Sequence, residues 1–135
     1  MAPRGSRRPA LPHLPTTLAS VAAALVLALI AGSSAVAAHA IIVASKPAVN
    51  EPLAGPDIQI RLQFNSRIDK KRSRLTLTQP DKSAQPLAII DGDEPNVVTA
   101  TALGLTAGDY TLRWQVLSFD GHITRGDIPF RVVTP

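Results

Sequence analysis

Two histidines, His39 and His122, together with the step Asp120-Gly121-His122, hold most of the metal-binding chemistry that residues 39 to 135 can offer. If the chain runs extended through that step, Asp120 and His122 project to the same side, because side chains alternate along a strand. Gly121 between them adds no side chain to crowd an approaching group. A histidine at the start of a chain supplies an imidazole and a free α-amine from one residue. Joined to the Asp-x-His pair, it makes a set of three nitrogens and one carboxylate oxygen. In a tetragonal arrangement such a set suits Cu(II), with Ni(II) second. Taken alone, an Asp-Gly-His step is more often a turn with a surface histidine.

The rest of the composition removes competing chemistries. There is no cysteine, which excludes a disulfide framework, a thiolate nucleophile and any Cys-ligated metal. The one methionine is Met1. No Gly-x-Ser-x-Gly elbow and no phosphate-binding Gly-rich loop occurs. The 135 residues carry a formal charge of +4, with a pI near 10.1, which at face value suggests an anionic partner. Arg4, Arg7 and Arg8 account for most of that, since residues 39 to 135 hold eleven Lys and Arg against ten Asp and Glu. Lys70-Lys71-Arg72 with Arg74 follows Asp69 and interleaves no aromatic residue, so it is expected to be a solvated loop and not a nucleic-acid patch. Asp91-Gly92-Asp93-Glu94 lacks the spaced oxygens of a calcium loop and is expected to form a hairpin turn.

Residues 1 to 38 have the three-part layout of a secretory signal peptide. A basic stretch is followed by an apolar run from Leu18 to Ala31, shorter than the roughly 18 residues or more of a membrane span, and then by Gly32-Ser33-Ser34-Ala35-Val36-Ala37-Ala38. His13 would leave with it. Cutting after Ala37 leaves Ala38 first, whereas cutting after Ala38 leaves His39 first. Only the second cut gives the histidine its own α-amine. Arg7-Arg8 keeps a twin-arginine route open beside the general secretory one.

The elements that must position these groups are strands. From Ile58 to Phe64 the even positions are apolar and the odd ones polar, the pattern of a half-buried strand. Further β-rich runs are Ile41 to Ala44, Leu75 to Thr78, Leu87 to Ile90, Val97 to Thr101, Tyr110 to Leu117 and Ile128 to Val133, separated by Gly, Pro, Asn and Asp turn signals. About seven short strands in one domain spanning 39–135 predict an all-β, antiparallel sandwich or Greek-key barrel. Trp114, Phe64 and Phe130 belong to its expected core. Pro129 is expected to place the last strand at an edge or a bulge.

The stretch Ala107-Gly108-Asp109-Tyr110-Thr111-Leu112-Arg113-Trp114-Gln115-Val116-Leu117-Ser118-Phe119-Asp120-Gly121-His122-Ile123-Thr124-Arg125-Gly126 resembles the signature of the CopC family of periplasmic copper-binding proteins. His39-Ala40, Ser45-Lys46-Pro47-Ala48, Pro52-Leu53 and Phe64-Asn65 resemble that family's opening. The resemblance implies an immunoglobulin-like Greek-key β-sandwich in the periplasm that binds Cu(II). Carried over, the ligands would be His39, through its α-amine and imidazole, Asp120 and His122, and Trp114 would be the family's buried tryptophan. Three departures stand out. Some members hold Cu(I) in a methionine-rich loop, and residues 39 to 135 contain no methionine; Ile123 replaces the proline after the histidine; and some members continue into a CopD-type membrane domain, whereas this sequence stops at Pro135.

The expected function is therefore coordination and not catalysis. One type 2 Cu(II) per chain would be buffered or handed to a partner such as a CopD-like inner-membrane copper transporter, by a protein expected to be a periplasmic monomer with no nucleic-acid role. Two alternatives belong to other classes. A histidine brace also serves lytic polysaccharide monooxygenases, although an anionic Asp120 favours Cu(II) over the Cu(I) needed for oxygen activation. A metal-free immunoglobulin-like interaction module would bind no copper.

Overall fold

The computed structural model describes residues 1, 5, 7–12 and 39–134. Two compact units divide the chain, Met1–Val36 and Ala37–Pro135. The expected signal peptide falls mainly outside the described residues, among which no helix is long and apolar enough to cross a membrane.

The second unit is all-β. Its strands are β1 (Ile42–Lys46), β2 (Pro52–Ala54), β3 (Ile58–Phe64), β4 (Ile68–Thr78), β5 (Ala84–Leu87), β6 (Val97–Ala102), β7 (Gly108–Ser118) and β8 (Ile123–Val133). They form a three-stranded sheet, β1-β3-β6, and a five-stranded sheet, β2-β8-β7-β4-β5. This is the expected immunoglobulin-like sandwich with eight strands in place of about seven. The extra one, β2, carries no alternating pattern. It is defined by parallel pairing with Arg131 to Val133, a partner far along the chain.

Alternation decides which faces meet. In β3, Ile58, Ile60, Leu62 and Phe64 are buried while Gln59 and Arg61 are exposed. Its large side chains lie opposite small ones of β6, as in the pairs Ile58↔Ala102, Ile60↔Ala100 and Leu62↔Val98. Leu75 and Leu77 from β4, Tyr110, Leu112 and Val116 from β7, and Ile128, Phe130 and Val132 from β8 complete the core. Burying one such aliphatic side chain contributes about 1.5–3 kcal/mol. Trp114 is half-buried against that core. It lies edge-on to Phe64 at 5.5 Å between ring centroids and directly over Gly126, where an added Cβ would come within 2.6 Å of the indole. The Tyr110 hydroxyl donates to the Thr106 carbonyl at 2.9 Å and closes the loop before β7.

Three local expectations are corrected. Lys70-Lys71-Arg72 with Arg74 lies within β4 and not in a loop; the register with β7 shifts between Asp69 and Arg74. Ser73 makes this bulge possible from inside, since its buried hydroxyl donates to the Asp69 carbonyl at 2.7 Å and accepts the Leu117 N–H at 3.1 Å. Residues 91–94 do not turn a hairpin, because β5 and β6 belong to different sheets and this segment crosses between them. Ile90 makes only an isolated bridge to Thr99. Finally, β8 lies inside the sheet despite Pro129. The Pro129 carbonyl accepts the Asn50 N–H at 2.7 Å. In extended backbone a residue's N–H and C=O point the same way, so the missing donor faces that side and not β7.

Candidate metal centre

The three expected ligands converge at one end of the β7–β8 hairpin. After Ser118 the chain leaves β7 and turns through Phe119, Asp120, Gly121 and His122 before β8 begins at Ile123. Of the two readings of Asp120-Gly121-His122, the turn and not the extended step is what forms. Asp120 Oδ1 accepts the His122 backbone N–H at 3.1 Å, and Gly121 N–H donates to the Ser118 carbonyl at 2.9 Å. An Asp side chain that bonds the backbone two residues on closes a local turn, which competes with extended structure. Gly121 sits at φ 90°, a left-handed conformation that favours glycine. An added Cβ there would meet nothing within 4 Å. Backbone freedom, and not room for a ligand, is what this glycine supplies.

The turn brings Asp120 and His122 together by a different route from the one expected. Their side chains are in contact, with Asp120 Oδ2 3.1 Å from His122 Nδ1. Both are partly exposed, 35% for the Asp120 side chain and 46% for His122, so an ion can reach them from solvent. The Asp120 carboxyl is held down at about 2, first by the Ser118 hydroxyl and next by the His122 backbone N–H, against an opposing effect of burial that is larger than either the hydrogen bond or the charge of the His122 imidazole alone. It is therefore ionised throughout the neutral range, and no proton competes with a cation for it.

His39 reaches the same place from the other end of the domain sequence. Its ring lies edge-on to that of His122, with centroids 5.2 Å apart and planes at 80°. Two long-range contacts hold the segment behind it. The Ala40 carbonyl accepts the Thr124 hydroxyl at 3.1 Å, tying it to β8. The Ile41 N–H donates to Asn65 Oδ1 at 2.8 Å while its carbonyl accepts the Asn65 N–H at 3.0 Å, tying it to the end of β3. Ala40 itself is buried. His39 is thus placed by both sheets at once.

The donor chemistry fits a divalent copper ion: two imidazoles and one ionised carboxylate, all reachable from solvent. Among the described residues no three His, Cys, Asp or Glu side chains are grouped closely enough to hold a metal ion as they stand. In the uncut chain the His39 nitrogen is a peptide amide, which is a far poorer donor than an amine. A groove of about 610 Å³ bordered by Thr78, Tyr110, Phe130 and Arg131 is lined by none of the three ligand candidates. Asp120 and His122 stand instead on the exposed tip of a hairpin, and His39 on the segment that precedes β1.

Residues 42–133 match the CopC domain. The chain belongs to the CopC family. Asp120 and His122 fall inside the matched span, and His39 lies just before it. Copper resistance protein C of Pseudomonas syringae pv. tomato is 32% identical over 103 residues, covering 70% of this chain and 81% of that protein. Among solved structures, CopC from Methylosinus trichosporium OB3b superimposes with a TM-score of 0.67 at 25% identity, covering 71% of this chain and 95% of the other. PcoC, a methionine-rich copper resistance protein from Escherichia coli, gives 0.57 at 29% identity over 71% of this chain and the whole of PcoC. This CopC-family chain differs from the second in composition, since its only methionine is Met1.

Three residues that support the site went unnoticed in the sequence: Ser118, Asn65 and Thr124. Ser118 had a local signal, its place two residues before Asp120 in Ser-x-Asp-x-His. Asn65 and Thr124 lay within the stretches that carry the family resemblance, but nothing local marked their role, because each acts on Ala40 or Ile41 across the fold.

Proposed function

We propose that this CopC-family protein is exported, cut before His39, and binds one Cu(II) per chain in the periplasm. The ligands are the His39 α-amine and imidazole, Asp120 and His122. The observation that carries this reading is the meeting of His39 and His122, more than eighty residues apart in sequence, with their rings 5.2 Å apart beside an ionised carboxylate. Nitrogen and carboxylate donors without thiolate or thioether suit the oxidised ion. The bound ion is cargo: the chain buffers it or passes it to a partner, for which a CopD-like inner-membrane transporter is the natural candidate. A monomer suffices, since all ligands come from one chain.

The chemistry speaks for binding and not turnover. The anionic Asp120 stabilises Cu(II) against reduction, which an oxygen-activating brace requires, and all three ligands are exposed. Intact mass of the exported protein, followed by Cu(II) titration monitored by Trp114 fluorescence, tests the reading. A chain starting at His39 that saturates at one Cu(II), with a type 2 paramagnetic resonance spectrum, is expected. A chain starting at Ala38, or a titration unchanged in His122→Ala, would overturn it.

A further inference from the structure

Only two polar residues in the described domain are buried with the core, Ser73 and Ser118. Ser73 is accounted for by the β4 bulge. Ser118 is the last residue of β7, 2% exposed, opposite Ile68 of β4. Its side chain faces the sandwich interior, as do Val116, Leu112 and Tyr110 on the same strand.

The Ser118 hydroxyl has two acceptors within reach, Asp120 Oδ1 and the His122 carbonyl, the latter at 3.0 Å. It has one proton to give. The His122 carbonyl already accepts the Ser118 backbone N–H at 2.9 Å. The carboxylate is the stronger acceptor, since hydrogen bonds to ionised groups are roughly twice as strong as neutral ones. The proton therefore goes to Asp120. That leaves Asp120 Oδ1 occupied by the Ser118 hydroxyl and the His122 N–H, and Oδ2 turned to His122 Nδ1 at 3.1 Å.

We infer that Ser118 is the positioning residue of the metal hairpin, a buried hydroxyl that holds Asp120, and through it the His122 ring, in place before the ion arrives. This rests on the Cu(II) reading above and adds a division of labour within Asp120. Oδ1 is a structural acceptor tied to the core, and Oδ2 faces the position shared with His122. Without the hydroxyl, the Asp120 side chain loses its link to the sandwich and keeps only its contacts to His122, the backbone N–H and the ring, within the turn itself. Partners that orient first ligands are worth about 10- to 100-fold in metal affinity.

The test uses the mature protein as wild type, Ser118→Ala and Ser118→Thr. Backbone order parameters of residues 119–122 in the metal-free protein are measured by NMR relaxation, and Cu(II) affinity and the paramagnetic resonance spectrum follow. Ser118→Ala should lower the order parameters at 119–122 while leaving those of β3 and β6 unchanged. It should weaken Cu(II) binding about 10- to 100-fold and broaden or shift the copper hyperfine pattern. Ser118→Thr, which keeps the hydroxyl, should recover most of the affinity and the wild-type spectrum. If Ser118→Ala binds Cu(II) as wild type does, with the same spectrum and the same order parameters, Ser118 is not a positioning residue and the copper reading stands. If Ser118→Thr fails to recover where Ser118→Ala is impaired, the hydroxyl is not what acts, and the inference falls. If wild type itself binds no Cu(II), the copper reading and this inference fall together.

Discussion

The β4–β5 and β7–β8 hairpin ends are built on the same local chemistry and do different things. At the first, Asp81 Oδ1 accepts the Ser83 N–H at 2.9 Å and the Ser83 hydroxyl at 2.6 Å. At the second, Asp120 Oδ1 accepts the His122 N–H at 3.1 Å and the Ser118 hydroxyl. Both carboxyls are lowered below the usual aspartate value, chiefly by those donors. Both turns contain a residue of positive φ, Lys82 at 70° and Gly121 at 90°. The difference lies in the origin of the hydroxyl and in what stands opposite. At Asp81 it comes from exposed Ser83 inside the turn, so the turn is closed on itself. At Asp120 it comes from the core face of β7, and the free oxygen looks at an imidazole that meets a second imidazole from the start of the domain. A turn becomes a candidate site when its acid is tied to the core and a distant segment is delivered to it.

Breaking that comparison should have its largest effect on the ligands themselves. His39→Ala and His122→Ala are each expected to abolish saturable Cu(II) binding in a fluorescence titration, while Asp81→Asn leaves the curve unchanged. A comparable loss in Asp81→Asn would mean that the titration reports surface carboxylates in general.

Next comes the scaffold that both turns share. Gly126→Ala forces a Cβ to within 2.6 Å of the Trp114 ring, an overpacking expected to cost about 1–3 kcal/mol. Ser73→Ala leaves the Leu117 N–H without its acceptor and should cost a similar amount, about 1–3 kcal/mol. Both should show in urea melts. Neither variant touches a ligand, so each should bind Cu(II) once folded.

Acid sharpens the contrast further. Asp120 has a folded value of about 2 against an ordinary 3.8, so the unfolded chain binds more protons between those values. Its contribution is complete above about pH 5 and is lost as pH falls from there toward 2. Asp81 is shifted in the same direction. Metal-free wild type should therefore lose stability on acidification more steeply than Asp120→Asn in denaturant midpoints taken from pH 5 to 2. Parallel curves for the two proteins would show that the Ser118–Asp120 bond does not survive in solution. The smallest effect is expected for Ser83→Ala, within about 0.5 kcal/mol in melts because it is a surface change, with copper binding untouched.

Much of this could be read along the chain. The alternation from Ile58 to Phe64 marks β3 to the residue, because a strand with one buried face must repeat every second position. Asp120 and His122 were visible as a pair, and Pro129 and the Lys70 to Arg74 run as anomalies. What they did was not visible. The bulge in β4 depends on Ser73 meeting Leu117, β2 depends on Arg131 to Val133, and Pro129 is tolerated because its missing donor faces Asn50. None of these partners is near in sequence, so no local pattern encodes them. The Asp-Gly-His step could be read either way for a related reason: an Asx turn and a strand start from the same residues, and the ends of the flanking strands decide between them.

By itself, then, the sequence determined the residue types and so the chemistry. Imidazoles and a carboxylate are present, thiolate is absent, methionine is confined to Met1, and a period-two pattern calls for a sandwich. The tertiary structure decided that His39 and His122 meet. That outcome requires Thr124 of β8 to hold Ala40 and Asn65 at the end of β3 to hold Ile41. It also requires the closed turn that sets Asp120 against His122. The physical reason is one of range. Side-chain identity and alternation are local properties of the chain, whereas a proposed ligand set drawn from both ends of a domain can come together only after two sheets have packed.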